Sequence, residues 1–322
     1  MFDALSVALL LVALSALAVS LGGPKTPPPM TIVNEQFKAI DFSGLPPLLY
    51  YEADDGEQLA YRAYMPSVPT AGSVVLVHGS SGSSRSLHLL AKGFAAAGVA
   101  VYVPDIRGHG ASGSAGTIAY VGQLEDDLEA FVRRAVPAAP VTLVGFSAGG
   151  GFVIRFAGSE RQGLFHSYLL LSPFLGEDAP TLRPNGGGWV DVGMPRMLAL
   201  AALNSVGIRW FNDLPVVRFA LNEEAKTFLT PSYSYSLAEN FRPQHDYEQN
   251  IRDMHRPCAV VAGAADDVFY TDRLKPTFRA LGKPWPVTLL PGIGHAALTL
   301  DPRGIAAAVR AVQNLQERRQ GS

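Results

Sequence analysis

The chain has 322 residues, 48% of them hydrophobic and 17% charged, a balance that suits one large core with an insertion and excludes a disordered protein outside its ends. Its formal net charge is −2 and its arginines are scattered rather than striped, so it has no basic footprint for nucleic acid. The single cysteine, Cys258, excludes an intrachain disulfide and any cysteine-based metal cluster.

Ala4 to Leu21 is apolar or small, interrupted only by serines, and as a helix would reach roughly 27 Å, nearly the hydrocarbon thickness of a bilayer. Only Asp3 precedes it, where a cleavable signal normally carries Lys or Arg. Residues 1–23 are therefore expected to form an uncleaved membrane anchor, with association through residues 4–21. The alternatives are a processed signal peptide, which would export the chain, and a helix packed on the folded domain. Lys25 weakly favours the cytoplasm for the far end. Residues 24–47, which include Pro24, Pro27, Pro28 and Pro29, read as a stiff, extended linker.

Leu48 to Ala53 and Gln58 to Tyr64 read as strands joined by Asp54-Asp55-Gly56-Glu57, an opening hairpin. From Ser73 the rhythm becomes strand then helix: Val74 to Val77, a helix near Arg85 to Ala97, Val99 to Val103, and a helix near Tyr120 to Ala135. Val141 to Val144 with a helix after Ala148, and Ser167 to Leu171, continue it. Cys258 to Ala262 and Val287 to Leu290 read as two further buried strands, and a helix from about Pro302 to Arg318 closes the chain. Buried runs alternating with helices imply a parallel sheet covered on both faces, an α/β fold. Residues 48–172 and 257–322 would form this core. Between Ser172 and Arg256 the rhythm breaks, with a glycine run at Gly186 to Gly188 and aromatics that include Trp189, Trp210, Phe219 and Tyr233. Residues 173–256 are expected to be a helical cap inserted over the carboxyl edge of the sheet, where α/β proteins bind ligand.

Gly145-Phe146-Ser147-Ala148-Gly149 lies between a buried strand and a helix, the context in which a serine is held at the tip of a sharp, strained turn. A nucleophilic serine needs a base, an acid to orient the base, and donors aimed at the developing oxyanion. Of seven histidines only His295 follows the last expected strand, in the glycine-rich loop Pro291-Gly292-Ile293-Gly294-His295. The acid should close the strand before, where Asp266 is favoured over its neighbour Asp267. The order Ser147, Asp266, His295 suits this kind of fold. The amide of Ala148, at a helix start, would be one oxyanion donor. The other should come from His78-Gly79-Ser80-Ser81-Gly82, with Ser80 preferred and Ser81 next.

Together, His78-Gly79, the run Asp105-Ile106-Arg107-Gly108-His109-Gly110 with Ser112, Gly145 to Gly149, Gly263 with Asp266, and Gly294-His295 resemble the α/β-hydrolase superfamily, in particular its lysophospholipase and monoacylglycerol-lipase-like branch. The resemblance spans roughly residues 48 to 318. It implies an eight-stranded, mostly parallel sheet, a Ser-His-Asp triad, a cap after the sixth strand, and no metal or organic cofactor. Asp105, Arg107 and His109 would be structural. The serine-rich oxyanion loop, Phe146 and Gly150-Gly151 depart from the commoner pattern, and the cap carries no placeable similarity. The expected activity is hydrolysis of a small-molecule carboxylic ester, hydrophobic or lipid-like, through an acyl-enzyme. Acyl transfer, C–C hydrolysis and cofactor-free perhydrolysis use the same triad, and a non-catalytic binding scaffold is the rival from another class.

Overall fold

In the computed structural model, which describes residues 4–30, 40–68 and 72–317, a single N-terminal helix, α1 (Ala4–Leu21), precedes an alternation of strands and helices. The expected hairpin forms from β1 (Leu49–Glu52) and β2 (Gln58–Tyr64), with Gly56 at φ 86° in its turn. There follow β3 (Ser73–Val77), α2 (His88–Ala96), β4 (Ala100–Pro104), α3 (Gln123–Ala135), β5 (Val141–Phe146), α4 (Ala148–Ala157) and β6 (Ser167–Leu171). Eight strands order as β1-β2-β4-β3-β5-β6-β10-β11, where β10 is Cys258–Gly263 and β11 is Val287–Leu290. The β1–β2 and β2–β4 pairings are antiparallel and the others parallel, so β2 alone runs against the other seven strands.

The central strands are apolar without alternation because both faces are covered. Along β3, Val75 and Val77 enter one apolar layer while Val74 and Leu76 enter the other. Leu90 and Phe94 of α2 cover the second layer, with Val312 and Leu315 of the C-terminal helix (Pro302–Glu317). Leu124, Leu128 and Phe131 of α3, with Phe152 and Phe156 of α4, cover the first. The spacing of the α3 residues is the apolar stripe of an amphipathic helix, and Glu125 and Asp126 in its first turn and Arg133 and Arg134 in its last complement the helix dipole. One expected buried strand differs. β11 is an edge strand paired only with β10, and Thr288 and Leu289 are exposed.

Between β6 and β10 the insertion adds no strand to the main sheet. It carries helices, among them α5 (Met194–Ser205), α6 (Tyr235–Asn240) and α7 (Tyr247–Asp253), and also a sheet of its own that the helical expectation did not contain. β7 (Val190–Val192), β8 (Pro215–Phe219) and β9 (Ser232–Ser234) pair antiparallel in that order. Strands of three to five residues are too short to show a period.

The N-terminal segment requires a correction. α1 forms where an apolar helix was expected, but among the described residues no helix is long and apolar enough to cross a membrane, so a spanning anchor is not supported. Its last turn is folded onto the insertion instead. Val19 is buried against Ala199, Leu200, Val216 and Tyr235. The Arg196 guanidinium donates to the carbonyls of Val19 (2.7 Å) and Ser20 (3.0 Å), which the helix end leaves without intrahelical partners. The chain beyond is likewise held: Lys25 N–H donates to Asp191, and Met30 N–H to the Ala220 carbonyl. Residues 31–39 of the expected linker lie outside the described residues.

Candidate active site

Parallel strands deliver their carboxyl ends to one edge of the sheet, and the loops after β3, β5, β10 and β11 meet there. Ser147 stands at the β5–α4 junction with φ 55° and ψ −120°, a conformation that side chains rarely adopt. The flanking glycines explain how so tight a turn is accommodated. A β-carbon on Gly145 would run into the Gly149 backbone, and one on Gly149 into the carbonyls of His78 and Val77. Ser147 N–H donates to the Leu171 carbonyl at 2.9 Å, which pins the turn to β6.

His295 Nε2 lies 2.9 Å from Ser147 Oγ, and its Nδ1 lies 2.8 Å from Asp266 Oδ2. An ionised carboxylate only accepts, so Nδ1 carries the proton and Nε2 is free to accept from the serine hydroxyl. The other Asp266 oxygen accepts from the amides of Val268 (2.9 Å) and Phe269 (2.8 Å). Burial pushes this carboxyl up, but the charge and hydrogen bond of His295, with the two amides, hold it below the ordinary carboxylate range. Asp267, the neighbouring acid, takes a different part: its Oδ1 accepts from the backbone amide of His295 at 3.2 Å and touches the loop, not the ring.

Around the serine, the amides of Ala148 and Ser80 have no acceptor among the described residues, whereas that of Ser81 already donates to Tyr233 Oη at 2.5 Å. Gly79 backs directly on Phe146 and Ser147, so the loop after β3 lies beside the hydroxyl. A cavity of about 50 Å³ opens next to it, walled by Gly79, Ser80, Leu87, Phe146, Ala296 and Leu300 and almost wholly apolar. All five residues named from the sequence, Ser147, Asp266, His295, Ser80 and Ala148, thus lie at one sheet edge.

Asp105, Arg107 and His109 make no bond to this group. Asp105 accepts from the amides of Ser84 and Ala111, and Arg107 pairs with Asp127 (2.7 Å) and Asp55 (3.0 Å). His78 and His109 stack edge to face in the interior, their centroids 4.7 Å apart. Burial holds both imidazoles below their ordinary range, and for His109 the neighbouring His78 adds to the effect.

Sequence reasoning did not single out the aromatic rings that hold the base. Phe146 lies 4.9 Å from the His295 ring and Phe269 5.1 Å, on an inclined and an edge-on plane. Phe146 was visible as an unusual flank of the serine. Phe269 carried no signal beyond lying three residues after Asp266.

The family described as serine aminopeptidase, S33 (Hydrolase_4) matches residues 69–302. Over 122 residues the chain is 32% identical to a monoacylglycerol lipase of Mycolicibacterium smegmatis (strain ATCC 700084 / mc(2)155), a stretch covering 37% of this chain and 43% of that protein. The chain therefore spans less than half the length of that relative. Among solved structures it is similar to a soluble variant of monoglyceride lipase from Saccharomyces cerevisiae, at TM-score 0.65 and 16% identity over 87% of this chain and 97% of that one. It is also similar to the monoacylglycerol lipase of Paleococcus ferrophilus, at TM-score 0.59 and 21% identity over 80% and 98%. At such identities the likeness is one of fold. With the eight-stranded sheet and a match over most of its length, the chain belongs to the serine aminopeptidase S33 (Hydrolase_4) family of α/β-hydrolases.

Proposed function

We propose that the protein is a serine carboxyl-ester hydrolase acting on apolar esters of the monoacylglycerol or lysophospholipid type. The observation that carries this reading is the His295 ring, bonded at one nitrogen to Ser147 Oγ and at the other to Asp266. Ser147 Oγ attacks the ester carbonyl while Nε2 takes its proton, and Asp266 steadies the imidazolium that forms. The amides of Ser80 and Ala148 donate to the oxyanion, and the start of α4 adds its dipole. His295 passes the proton to the departing alcohol, leaving an acyl group on Ser147. Water, deprotonated by the same imidazole, then releases the acid. Residues 173–256 serve as a cap over this site. The apolar cavity beside Phe146 and the monoacylglycerol lipase relative support an apolar acyl group.

The test is hydrolysis of p-nitrophenyl esters from acetate to palmitate and of a monoacylglycerol, with Ser147→Ala as control. The expected result is turnover that the control abolishes and that rises beyond acetate. Folded protein inactive at every length contradicts the reading and favours acyl transfer, other triad chemistry or a binding scaffold.

We further infer that the protein sits on a lipid surface through α1. Leu10, Leu14, Leu17 and Leu21 recur along that helix and are each more than half exposed, and on α5, against which it packs, Met194 and Leu198 are too. No charged residue interrupts α1. The protein should float with phosphatidylcholine vesicles in a density gradient and fail to do so when Leu14 and Leu17 are changed to Lys. Wild-type protein that stays at the bottom refutes this inference.

A further inference from the structure

The loop after β3 brings Ser80 to the serine, yet the bonds at its tip come from the insertion. Trp189 Nε1–H, just before β7, donates to Ser80 Oγ at 2.9 Å. The next residue, Ser81, sits at φ 66°, in the left-handed region that a β-carbon disfavours. It is tied there on three sides. Its N–H donates to Tyr233 Oη at 2.5 Å, its Oγ donates to the Thr230 carbonyl at 2.6 Å, and its carbonyl accepts from Thr230 N–H at 2.8 Å.

Tyr233 is itself fixed. Its hydroxyl lies 2.6 Å from His109 Nε2, and the direction of that bond follows from the other ring nitrogen. His109 Nδ1 faces the carbonyls of Ile106 (3.1 Å) and Arg107 (3.3 Å), so it carries the proton and Nε2 accepts from Tyr233. Trp189 and Tyr233 both pack on Phe219, with centroids at 5.4 and 4.7 Å, so one aromatic block across the insertion's sheet grips the loop. Besides these, Gly82 N–H closes on the Gly79 carbonyl within the loop, and Ser84 N–H on its far flank donates to Asp105 of the core.

We propose that Trp189 and Tyr233 are positioning residues for the oxyanion site: the insertion's sheet holds the Ser80 amide in place, so the site is complete only while the insertion lies on the core. The proposal rests on the reading above that the Ser80 amide is an oxyanion donor.

The test compares full-length wild type with Trp189→Phe, Ser80→Ala, their double variant and Tyr233→Phe, measuring kcat, KM and inhibition by an alkyl trifluoromethyl ketone, whose adduct with the serine carries an oxyanion. Removing an oxyanion donor outright costs about 10² to 10³ in turnover, so loosening one should lower kcat on the order of 10-fold. KM should stay within about 2-fold, and the ketone should weaken in step with kcat, as expected for a group felt only in the transition state. Trp189→Phe and Ser80→Ala delete one and the same bond, so the double variant should be no worse than either single one. If Trp189→Phe does not fold, Ser80→Ala reports on that bond from the core side. A variant set with unchanged kcat, a rise in KM alone, or additive losses in the double variant overturns the proposal. Wild type that neither turns over esters nor reacts with a fluorophosphonate sinks the underlying reading as well, whereas active wild type with indifferent variants sinks only the clamp.

Discussion

Ser147 and Ser81 are two of the four non-glycine residues at positive φ among the described residues, Ser147 in the candidate site and Ser81 in the loop that brings Ser80 to it. Strain of this kind persists only where its surroundings dictate it, and the glycines beside Ser147 are part of what does. Gly145→Ala should therefore destabilise the protein by about 1–3 kcal/mol or more, since the new methyl meets fixed backbone rather than a side chain that can yield; the midpoint of urea unfolding reads this directly. The two adjacent aspartates separate just as clearly. Asp266→Asn should lower kcat on the order of 10⁴-fold, because the amide no longer enforces the Nδ1–H tautomer. Asp267→Asn keeps an Oδ1 that can accept from the His295 amide and removes only the charge, so it should cost less than about 10-fold. Steady-state kinetics on the two variants checks the ranking, and a larger loss at Asp267 reverses it. Ser147, Asp266 and His295 were legible because each follows an apolar strand and stands in a glycine-bearing turn. Phe269 was not, because a ring that packs on an imidazole has no pattern of its own.

Elements with many buried residues were read well from sequence, and short or edge elements were not. The central strands announce themselves as apolar runs, and α3 by its stripe of Leu124, Leu128 and Phe131. β11 reads as equally apolar in the sequence, yet its place at the sheet edge leaves it partly exposed, and position in a sheet is a tertiary property. β7 to β9 owe their pairing to one another and to the loop after β3 rather than to any local period. The fate of α1 turned on a single partner. Arg196, at the start of α5, is an ordinary charged residue until it is seen to cap α1 and to bond the Pro215 carbonyl at 2.8 Å as well. Arg196→Ala should free the junction between α1 and the insertion, so trypsin should cut after Lys25 faster than in the wild type. Unchanged digestion of that site would mean that the apolar contact of Val19 and the backbone bonds of Gly22 and Lys25 hold the junction without the guanidinium.

At the scale of the whole molecule, buried titratable groups make the fold sensitive to acid. Burial lowers the affinity of His78 and His109 for protons below the ordinary imidazole range, so as pH falls below about 6.5 the unfolded chain takes up protons that the native state refuses. Stability then falls, by up to about 1.4 kcal/mol per pH unit for each histidine that stays neutral. Asp266 acts in the same direction at lower pH. Its carboxyl is held below the usual range, so its contribution is present above about pH 3.9 and is lost as pH drops through the folded value. Urea unfolding at pH 8, 6.5 and 5 should show a flat upper limb and a decline between the last two, and equal stability at all three contradicts the account. The overall architecture and the place of the insertion were legible because the parallel sheet dictates both the apolar strands and the edge where the loops meet; the insertion's own sheet was not, since its short strands pair with one another. The central claim is that Ser147 is the nucleophile, and the most direct measurement is rapid-quench mass spectrometry during turnover of a p-nitrophenyl ester. The account predicts a transient acyl group on the peptide containing Ser147, absent from Ser147→Ala. Ester hydrolysis with no adduct, or with the acyl group on another residue, would contradict it.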